Sequence, residues 1–415
     1  MNLRESLEKM KECSRRFTLV DDEIVNEVLL TLADLLEENV EKIVEENAKD
    51  LGKMSKSDSL YDRVLLDEER VRGMAESVRE VAGYDSPVGV ELESRELENG
   101  LELKKVSVPF GVVGAIFEAR PNVLVDTFVL CFKSKNCCVM KGGSQAEHSN
   151  EVLKALIVEA IEKEYADLMH AVLLLKNDRE LVAELLKMHG LVDLVVPRGS
   201  QKLIDFVRGT ATVPVIETGR GVCHTYVDES ADVKMAGEIV HNAKTSRPGV
   251  CNALDTLIIH RSRLDDLPAI CKALEADEVK IYADVPAFKA LVTEHHEHFL
   301  FKAGEDSFGQ EYMSLKMSVK VVENLDEAIE HVNLYGSGHS EAIISEDQQS
   351  AEKFMNMVDA AAVYWNASTR FTDGAVFGLG AELGISTQKL HARGPMGIKE
   401  LTSYKWLVRG EGQIR

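Results

Sequence analysis

The first eighty residues carry apolar side chains at the spacing of amphipathic helices. Between residues 24 and 44 the apolar positions recur three or four residues apart, which places them on one face of a helix. These positions are Ile24, Val25, Val28, Leu29, Leu32, Leu35, Leu36, Ile43 and Val44. The same pattern predicts a further helix from Val64 to Val81. We interpret these segments as packing helices without chemistry.

A different pattern follows, with alternating polar and apolar residues on both sides of Asn99-Gly100. Asn-Gly is typical of a two-residue hairpin turn, so Glu91 to Val108 is predicted to form two antiparallel strands. The residues from Leu401 to Val408 are predicted to form another strand near the end of the chain. The hairpin could contact a second copy of the chain or could lie on the surface without a partner, and both interpretations stay open.

From Gly111 onward, short apolar segments alternate with helical ones. Near-continuous apolar strands separated by helices indicate a parallel sheet that is covered on both faces. The predicted strands are Val112–Phe117, Cys137–Met140, Ala171–Leu175, Leu191–Val196 and Val213–Ile216, and the predicted helices are Val123–Cys131, Ala146–Glu162, Arg179–Lys187 and Gln201–Val207.

A second run of the same kind begins near Val227. It contains strands over Leu254–Ile259 and Val319–Val322, and helices around Ala236–Ala243, Leu264–Glu275 and Leu325–Val332. A chain of 415 residues exceeds what one hydrophobic core usually serves, so two domains are expected. The fold class that follows is α/β.

Composition and charge narrow the function classes. The formal net charge of −22 argues against a nucleic-acid partner or an anionic membrane surface. No run of eighteen apolar residues and no secretory signal is present, so no membrane span is expected. The seven cysteines show no C-x-x-C pair, which favours free thiols in a reducing cytoplasm.

Two loops that follow predicted strands have the chemistry to hold a phosphate group. They are Lys141-Gly142-Gly143-Ser144 and Pro197-Arg198-Gly199-Ser200. Each ends a strand and opens a helix, where backbone N–H groups and the helix dipole attract anions. The alternative for each is a plain turn. No G-x-G-x-x-G follows the first strand, so a dinucleotide would have to bind in another way.

A cysteine follows the turn Arg247-Pro248-Gly249 and precedes a buried strand. Proline and glycine break the preceding helix, and the nearby charges of Lys244 and Arg247 favour a thiolate at Cys251. The alternative is that Cys251 is a small buried hydrophobe, as most cysteines are.

Three other candidates receive different interpretations. Glu217 follows a buried strand and could be a general base, or it could be solvated or ion-paired. Cys223 is interpreted as a core residue, because its neighbour His224 points to the opposite face of the strand. The run from His295 to His298 suggests a metal site, but no matching ligand set follows it, which favours a solvated helix end and no metal.

Taken together, five segments resemble the γ-glutamyl phosphate reductases, also called glutamate-5-semialdehyde dehydrogenases, within the aldehyde dehydrogenase superfamily. The resemblance spans nearly the whole chain. The segments are Phe117–Val123, Asn242–Leu254, Tyr335–Ile343, Asn366–Gly374 and Gly384–Pro395.

The resemblance implies an aldehyde-dehydrogenase-like fold with two Rossmann-like parallel-sheet domains and a small oligomerisation hairpin and tail. Residues 1–226 would form the NADP-binding domain, with the hairpin at about 91–108 projecting for oligomerisation. Residues 227–364 would form the catalytic domain that carries Cys251. Residues 365–415 would return to the cofactor domain and supply the oligomerisation tail.

The resemblance also implies roles for individual residues. Cys251 stands at the position of the nucleophile, Glu217 at that of a base, and Asn122 is the best match for an oxyanion donor. Lys141 falls where a lysine contacts the adenosine ribose, and Glu311 where a glutamate holds the nicotinamide ribose.

Three arginines are candidates for binding the anionic groups of the substrate, the phosphate and the α-carboxylate. They are Arg120, Arg247 and Arg370, and a guanidinium fork suits both anions. The chain departs from the family pattern at Lys141, where an arginine is common, and at Asp255, where a glutamate is common.

The implied activity is reduction of γ-L-glutamyl phosphate by NADPH to L-glutamate 5-semialdehyde and phosphate, the second step of proline biosynthesis from glutamate. A homo-oligomer and a transient contact with glutamate 5-kinase are also implied. Two alternatives remain: a non-phosphorylating aldehyde dehydrogenase, and a non-catalytic scaffold that binds a kinase. The presence of Cys251, Glu217 and Glu311 argues against the scaffold.

Overall fold

The computed structural model describes residues 2–58 and 60–415. Its helices are α1 (Leu3–Phe17), α2 (Asp22–Glu38), α3 (Val40–Leu51), α4 (Tyr61–Val64), α5 (Glu68–Ala82), α6 (Asn122–Lys133), α7 (Glu147–Tyr165), α8 (Arg179–Leu185), α9 (Gln201–Thr210), α10 (Val233–Thr245), α11 (Leu267–Ala276), α12 (Val285–Leu291), α13 (Leu325–Tyr335) and α14 (Gln348–Met357).

The strands are β1 (Glu91–Glu96), β2 (Glu102–Pro109), β3 (Val112–Phe117), β4 (Cys137–Lys141), β5 (Val172–Leu174), β6 (Leu194–Arg198), β7 (Cys223–Val227), β8 (Leu254–His260), β9 (Lys280–Ala283), β10 (Leu300–Lys302), β11 (Lys316–Val322), β12 (Ser340–Ile344), β13 (Ala362–Trp365), β14 (Ile385–Ser386), β15 (Gly394–Pro395) and β16 (Thr402–Arg409). No helix in the described ranges is both long and apolar enough to cross a membrane.

The chain divides into two compact units. The first unit comprises the chain up to Thr218 together with Gly378–Gly384 and Leu390–Arg415, and the second comprises Gly219–Phe377 and Ile385–Lys389. The resemblance implies a boundary after residue 226 and a return after residue 364, whereas the compact units change after Thr218 and after Phe377, and Ile385–Lys389 belongs to the second unit as well.

The first unit is built on a four-stranded parallel sheet in the order β5-β4-β3-β6. All six residues of β3 are buried, as expected for a central strand with helices on both faces. The predicted strand at Val213–Ile216 is wrong. Only Val215 makes a bridge, to Val195, because Pro214 has no N–H with which to continue a ladder.

The helices of the first unit bury the predicted apolar stripes. Helix α2 buries seven of its apolar side chains, Val25, Val28, Leu29, Leu32, Ala33, Leu35 and Leu36. The helix predicted from Val64 to Val81 is interrupted, because Asp67 accepts a hydrogen bond from the Arg70 N–H and caps α5. The buried side chain of Asn47 accepts from the Leu66 N–H, which satisfies the backbone at the break.

A three-stranded antiparallel sheet completes the first unit, in the order β1-β2-β16. It confirms the predicted hairpin and the predicted strand near the C-terminus. The turn has three residues, not two, because Leu97 and Leu101 pair across it and Gly100 takes a left-handed conformation with φ of 80°. Every residue of β1 is exposed.

The second unit is built on a seven-stranded parallel sheet in the order β10-β9-β11-β8-β7-β12-β13. One apolar cluster joins one face of the sheet to α10, α11 and α12, and another joins the opposite face to α13 and α14. The sheet is therefore wound on both faces, and the cysteine predicted as nucleophile precedes its central strand β8.

Candidate active site

Cys251 lies in the loop between α10 and β8 and differs from the other cysteines in its exposure. All seven cysteines fall within the described residues; six are buried, and Cys251 is half-buried. The preceding residues Arg247 to Val250 are half-buried or exposed. The loop thus holds a thiol at the surface of the second unit, where a substrate can reach it.

Gly221, just before β7, fixes the backbone of the cysteine loop. A Cβ atom at residue 221 would overlap the carbonyl group of Cys251 and would lie 3.0 Å from the Cys251 Cα. No residue except glycine fits this approach. The backbone N–H of Gly221 also donates to Glu311 Oε1 at 3.1 Å. Gly221 therefore contacts both the cysteine loop and Glu311.

Asn252 ties the cysteine loop to the segment that carries Arg370. Its side-chain amide donates to the carbonyl oxygen of Thr372 at 2.8 Å. The guanidinium of Arg370 donates to the Asn252 side-chain oxygen and, through Nε, to Ser246 Oγ at 3.1 Å. Arg370 is therefore held by Ser246, which precedes Cys251 in the chain, and by Asn252, which follows it.

Arg370 interacts electrostatically with both Arg247 and Cys251. Burial lowers the pKa of Arg370, and the neighbouring Arg247 guanidinium lowers it further, while Asp373 and Cys251 oppose this change. Two neighbouring guanidinium groups, one of them beside the cysteine, create a site for an anionic substrate in a protein whose net charge is −22.

Lys244 does not have the role that the sequence predicts. It is fully buried, its Nζ donates to the Leu254 carbonyl at 2.7 Å, and it lies 4.0 Å from Asp255 Oδ1. Burial lowers the pKa of Lys244 to about 8, with Asp255 opposing. The charge of Lys244 therefore supports the start of β8, and the arginines supply the positive charge near Cys251.

Asp255 is the buried partner of Lys244. Burial raises its pKa to about 6, against the effects of Lys244 and of the N–H groups of Tyr312 and Cys223. The Tyr312 N–H donates to Asp255 Oδ1 at 2.9 Å. Because Tyr312 follows Glu311, the buried pair also anchors the segment that presents Glu311.

In the first unit, the second predicted phosphate loop already holds an anion from the protein itself. Glu118, after β3, accepts from the Ser200 N–H at 2.7 Å and from Ser200 Oγ at 3.2 Å, at the start of α9. A Cβ at Gly199 would overlap the Glu118 carboxylate. The sequence does not reveal this contact, because Glu118 and Ser200 are 82 positions apart.

The first predicted phosphate loop begins with Lys141, the last residue of β4. Burial lowers the pKa of Lys141, Glu118 opposes this effect, and Arg179 adds to it. Gly142 and Gly143 are buried, and Ser144 is exposed. A Cβ at Gly143 would lie 2.7 Å from the backbone nitrogen of Ala119, so the loop packs closely against the segment after β3.

That segment contains Arg120 and Asn122, both half-buried. Ala119 has a left-handed backbone with φ of 51°, a conformation that is uncommon for residues other than glycine and is often found at functional sites. The Asn122 amide donates to Asp126 Oδ2 at 3.0 Å. Removal from water raises the pKa of Asp126 to about 6, with Arg198, Asn122 and Arg120 opposing.

Glu217 belongs to the first unit and forms an ion pair. Its two carboxylate oxygens accept from Arg208 Nε at 2.8 Å and from Arg208 Nη2 at 2.6 Å. The arginine lies on α9, and its side chain is more than half exposed, while that of Glu217 is mostly buried. A role for Glu217 as a base therefore requires this bidentate pair to open.

The histidines of the run after α12 differ in their burial. His295 is buried, and burial lowers its pKa, while His296 and His298 are exposed. Across residues 2–58 and 60–415, no three side chains of His, Cys, Asp or Glu converge in the way that a metal ion requires.

The structure thus brings Cys251, Arg247, Arg370 and Glu311 together in the second unit, and groups Glu118, Arg120, Asn122, Lys141 and the loop at 197–200 in the first. The functional contacts that sequence reasoning missed are those of Gly221, Asn252 and Glu118. The Gly219-Arg220-Gly221 run is the one signal that pointed to an unusual backbone approach.

The sequence model of the aldehyde dehydrogenase family matches residues 2–282 and 315–407. Fold and cysteine loop therefore place the chain among the aldehyde dehydrogenases, oxidoreductases that act on aldehyde groups with a nicotinamide cofactor. The chain is 52% identical over 409 residues to the γ-glutamyl phosphate reductase of Chlorobaculum parvum, covering 99% of this chain and 97% of that protein.

The protein of the same name from Bacteroides fragilis is 50% identical over 415 residues and is covered completely, as is this chain. The crystal structure of γ-glutamyl phosphate reductase from Thermotoga maritima superposes with a TM-score of 0.94 at 41% identity, with full coverage of both chains. Within the aldehyde dehydrogenases, the chain belongs to the γ-glutamyl phosphate reductases.

The packing of Gly221 on Cys251 predicts that Gly221→Ala displaces the nucleophile. A displacement of about 1 Å can cost a hundredfold in rate, so we expect kcat/KM to fall by about that factor. Steady-state consumption of the reduced cofactor measures it.

The matched control is Gly237→Ala in α10 of the same unit, where a Cβ would meet its nearest neighbour, the Ile270 carbonyl oxygen, at an ordinary 3.6 Å. This variant should keep full activity. Equal rates for the two variants would show that the approach of Gly221 to Cys251 does not control the chemistry.

Proposed function

We propose that the chain reduces γ-L-glutamyl phosphate to L-glutamate 5-semialdehyde and phosphate with NADPH, the second step of proline biosynthesis from glutamate. The observation that carries the proposal is a half-buried cysteine beside Arg370, with Arg247 next to that arginine and Glu311 bound to the Gly221 N–H that packs on the cysteine. The names of relatives that are 50% and 52% identical over their whole length support the same substrate.

In the first step, the Cys251 thiolate attacks the acyl carbon of the substrate. The electron pair of sulfur forms the new S–C bond, the C–O bond to phosphate breaks, and phosphate leaves with that electron pair. Arg120, Arg247 and Arg370 are the proposed partners of the phosphate and the α-carboxylate. Because phosphate is a good leaving group, the step needs no general acid of the protein.

Negative charge develops on the acyl oxygen when the thioester forms and again when it is reduced. The proposed donors are the Cys251 backbone N–H and the Asn122 amide. The loss of one such donor typically costs about 2.7–4 kcal/mol of transition-state stabilisation. The close approach of Gly221 holds the Cys251 backbone in place for this task.

The residues present fit a nicotinamide dinucleotide. Lys141, at the carboxyl end of β4, supplies a partly buried cation next to a buried Gly-Gly turn, as a ligand with an adenosine ribose and phosphates requires. Glu311 is held by the Gly221 N–H and supplies a carboxylate for ribose hydroxyls. When bound, the cofactor supplies the hydride that reduces the thioester. We propose that NADP(H) is preferred.

The remaining residues of the two predicted phosphate loops are proposed to contact the same cofactor. They are Gly142, Gly143 and Ser144 in the first loop, and Pro197, Arg198, Gly199 and Ser200 in the second.

Glu217 is proposed to take the proton from the Cys251 thiol. Its ion pair with Arg208 would have to open for this step. An acyl phosphate substrate yields a thioester that is reduced, not hydrolysed, so Glu217 has no need to activate a water molecule as a base in a hydrolytic aldehyde dehydrogenase does.

We further propose that the first unit is the cofactor domain and the second is the catalytic domain. The exposed sheet β1-β2-β16 would supply the contact of a homo-oligomer. A transient contact with glutamate 5-kinase would shorten the path of a labile acyl phosphate, and the cytoplasm is the proposed compartment.

The nucleophile is tested by Cys251→Ala, which should abolish NADPH turnover because no other group forms the thioester. Cys271→Ala is the control, since Cys271 is fully buried among the apolar side chains of the second unit. NADPH absorbance gives the rate, circular dichroism the fold, and intact mass the glutamyl adduct formed without cofactor. Adduct formation by Cys251→Ala would assign the nucleophile to another residue.

The phosphorylating reaction is tested in the reverse direction. Oxidation of glutamate semialdehyde with NADP⁺ should require phosphate or arsenate, because the thioester is released by phosphorolysis. A rate that stays the same in phosphate-free buffer would instead identify a hydrolytic aldehyde dehydrogenase. If the protein binds the cofactor but shows no turnover with or without phosphate, the non-catalytic scaffold would be favoured.

The contact of Glu118 with α9 predicts that Glu118→Gln tightens NADPH binding. A charge at a helix N-terminus contributes about 0.3–1 kcal/mol, so removing the competing carboxylate should lower the dissociation constant about twofold to fivefold, most at low ionic strength. NADPH fluorescence on binding measures it.

The control for this variant is Glu102→Gln at the exposed start of β2. It makes the same change in net charge outside the predicted phosphate loops and should leave the dissociation constant of NADPH unchanged. Weaker binding by Glu118→Gln would show that the carboxylate helps the cofactor to bind instead of competing with its phosphates.

A further inference from the structure

A buried chain of polar groups in the second unit contacts the cysteine loop at two successive residues. It begins at Cys223, the first residue of β7, whose thiol donates to the carbonyl oxygen of Cys251 with an Sγ-to-oxygen distance of 3.2 Å. Cys223 is fully buried. Its hydrogen bond therefore reaches the peptide group of the nucleophile from the interior of the unit.

The chain continues through the residues at the start of β12. Cys223 Sγ lies 3.9 Å from His339 Nδ1, which lies 2.8 Å from Ser340 Oγ. Ser340 Oγ donates to Thr372 Oγ1 at 2.7 Å.

The ring closes at the residue after the nucleophile. The Asn252 amide donates to the Thr372 carbonyl at 2.8 Å. Cys223, His339, Ser340 and Thr372 are fully buried, and Asn252 is 3% exposed. The hydrogen bonds therefore fix Cys251 and Asn252 relative to β7 and β12 without competition from water.

The direction of the hydrogen bonds follows from the protonation states. Burial lowers the pKa of His339 to about 4, so its ring is neutral. Ser340 gives its proton to Thr372 and therefore accepts from His339 Nδ1–H. This leaves Nε2 as a bare acceptor, and that atom is buried without a hydrogen-bond partner in the described part of the chain. Because the Cys223 thiol gives its own proton to Cys251, its 3.9 Å approach to His339 Nδ1 is a contact, and the hydrogen bond that joins Cys223 to this segment comes from the Ser340 backbone.

Cys223 is a donor and not a second nucleophile. Burial raises the pKa of its thiol well above the usual value, and the carboxylates of Glu341 and Asp255 raise it further. The thiol thus stays protonated while the half-buried Cys251 reacts. A core residue that only filled space would not need to direct a polar hydrogen at the backbone of the nucleophile.

We propose that Cys223 is a positioning residue whose thiol hydrogen bond to the Cys251 carbonyl, supported by His339, Ser340 and Thr372, orients the nucleophile for attack. The inference rests on the proposed function, in which Cys251 forms the thioester. It gives a catalytic consequence to a fully buried cysteine that acts through the backbone of the nucleophile.

The test compares Cys223→Ala, which removes the donor, with Cys223→Ser, which retains one. Loss of one hydrogen bond of ordinary strength corresponds to a rate decrease of about threefold to tenfold. We expect kcat of Cys223→Ala to fall by that factor with KM unchanged, and Cys223→Ser to recover most of the loss. Cys271→Ala, a fully buried cysteine of the same unit, should leave kcat unchanged.

A second readout separates this inference from the identity of the substrate. The rate at which iodoacetamide alkylates Cys251, followed by peptide mass over a range of pH without substrate or cofactor, should decrease in Cys223→Ala and recover in Cys223→Ser. This rate reports on the nucleophile even if γ-glutamyl phosphate is not the substrate.

Equal kcat and equal alkylation rates for Cys223→Ala and Cys271→Ala would overturn the proposal. Loss of activity in Cys223→Ala that Cys223→Ser fails to restore would also overturn it, because packing and not the hydrogen bond would then be responsible. If Cys223→Ala does not fold, Ser340→Ala breaks the same ring at another point. It should lower the alkylation rate, and an unchanged rate would refute the ring.

Discussion

The approach of Gly221 to the backbone of Cys251 is the constraint on which the cysteine loop depends. Gly221 and Cys223 together make three contacts around this loop: the Gly221 N–H holds Glu311, the Gly221 Cα packs on the Cys251 peptide, and the Cys223 thiol donates to the Cys251 carbonyl. These residues lead directly into β7, which pairs with β8. The register of these two central strands therefore places the cysteine loop next to Gly221 and Cys223.

Charge near the cysteine loop of the second unit falls into two separate pairs. Arg247 and Arg370 repel each other, which contributes to the lowered pKa of Arg370, and Arg370 also interacts with Cys251. Lys244 and Asp255 form a buried pair whose pKa values move toward each other, to about 8 and about 6. Breaking such a pair leaves an uncompensated buried charge, which is strongly destabilising. The pair thus anchors the start of β8, and the arginines remain available for an anionic substrate.

The spacing of apolar residues was sufficient to predict most of the helices and strands. The prediction failed where a single residue ended or broke an element. Apolar periodicity predicted β3 and β8 closely, but the single helix predicted over residues 24–44 is broken at Asn39 into α2 and α3, Pro214 removed a strand and Asp67 divided another helix. In the site, residues close to Cys251 in sequence could be predicted because the chain itself keeps them near. The partners of Glu118, Glu217 and Cys223 could not, because each contact joins distant or separate elements through space. A single sequence records which residue types are present, and the pairing of the strands decides which of them meet.

In each unit a polar side chain forms hydrogen bonds with the backbone of a loop next to the candidate site. Glu118 accepts hydrogen bonds from Ser200 at the start of α9, and its carboxylate occupies the space that a Cβ at Gly199 would enter. The ring through Cys223 and His339 fills the polar space behind the nucleophile. A buried polar group without a partner costs free energy. Each of these hydrogen bonds therefore stabilises the observed backbone conformation relative to alternatives in which the bond is lost. The Nε2 atom of His339 is an exception, because it is buried without a hydrogen-bond partner among the described residues. It is an acceptor, and a buried acceptor without a partner costs less free energy than a buried donor without one.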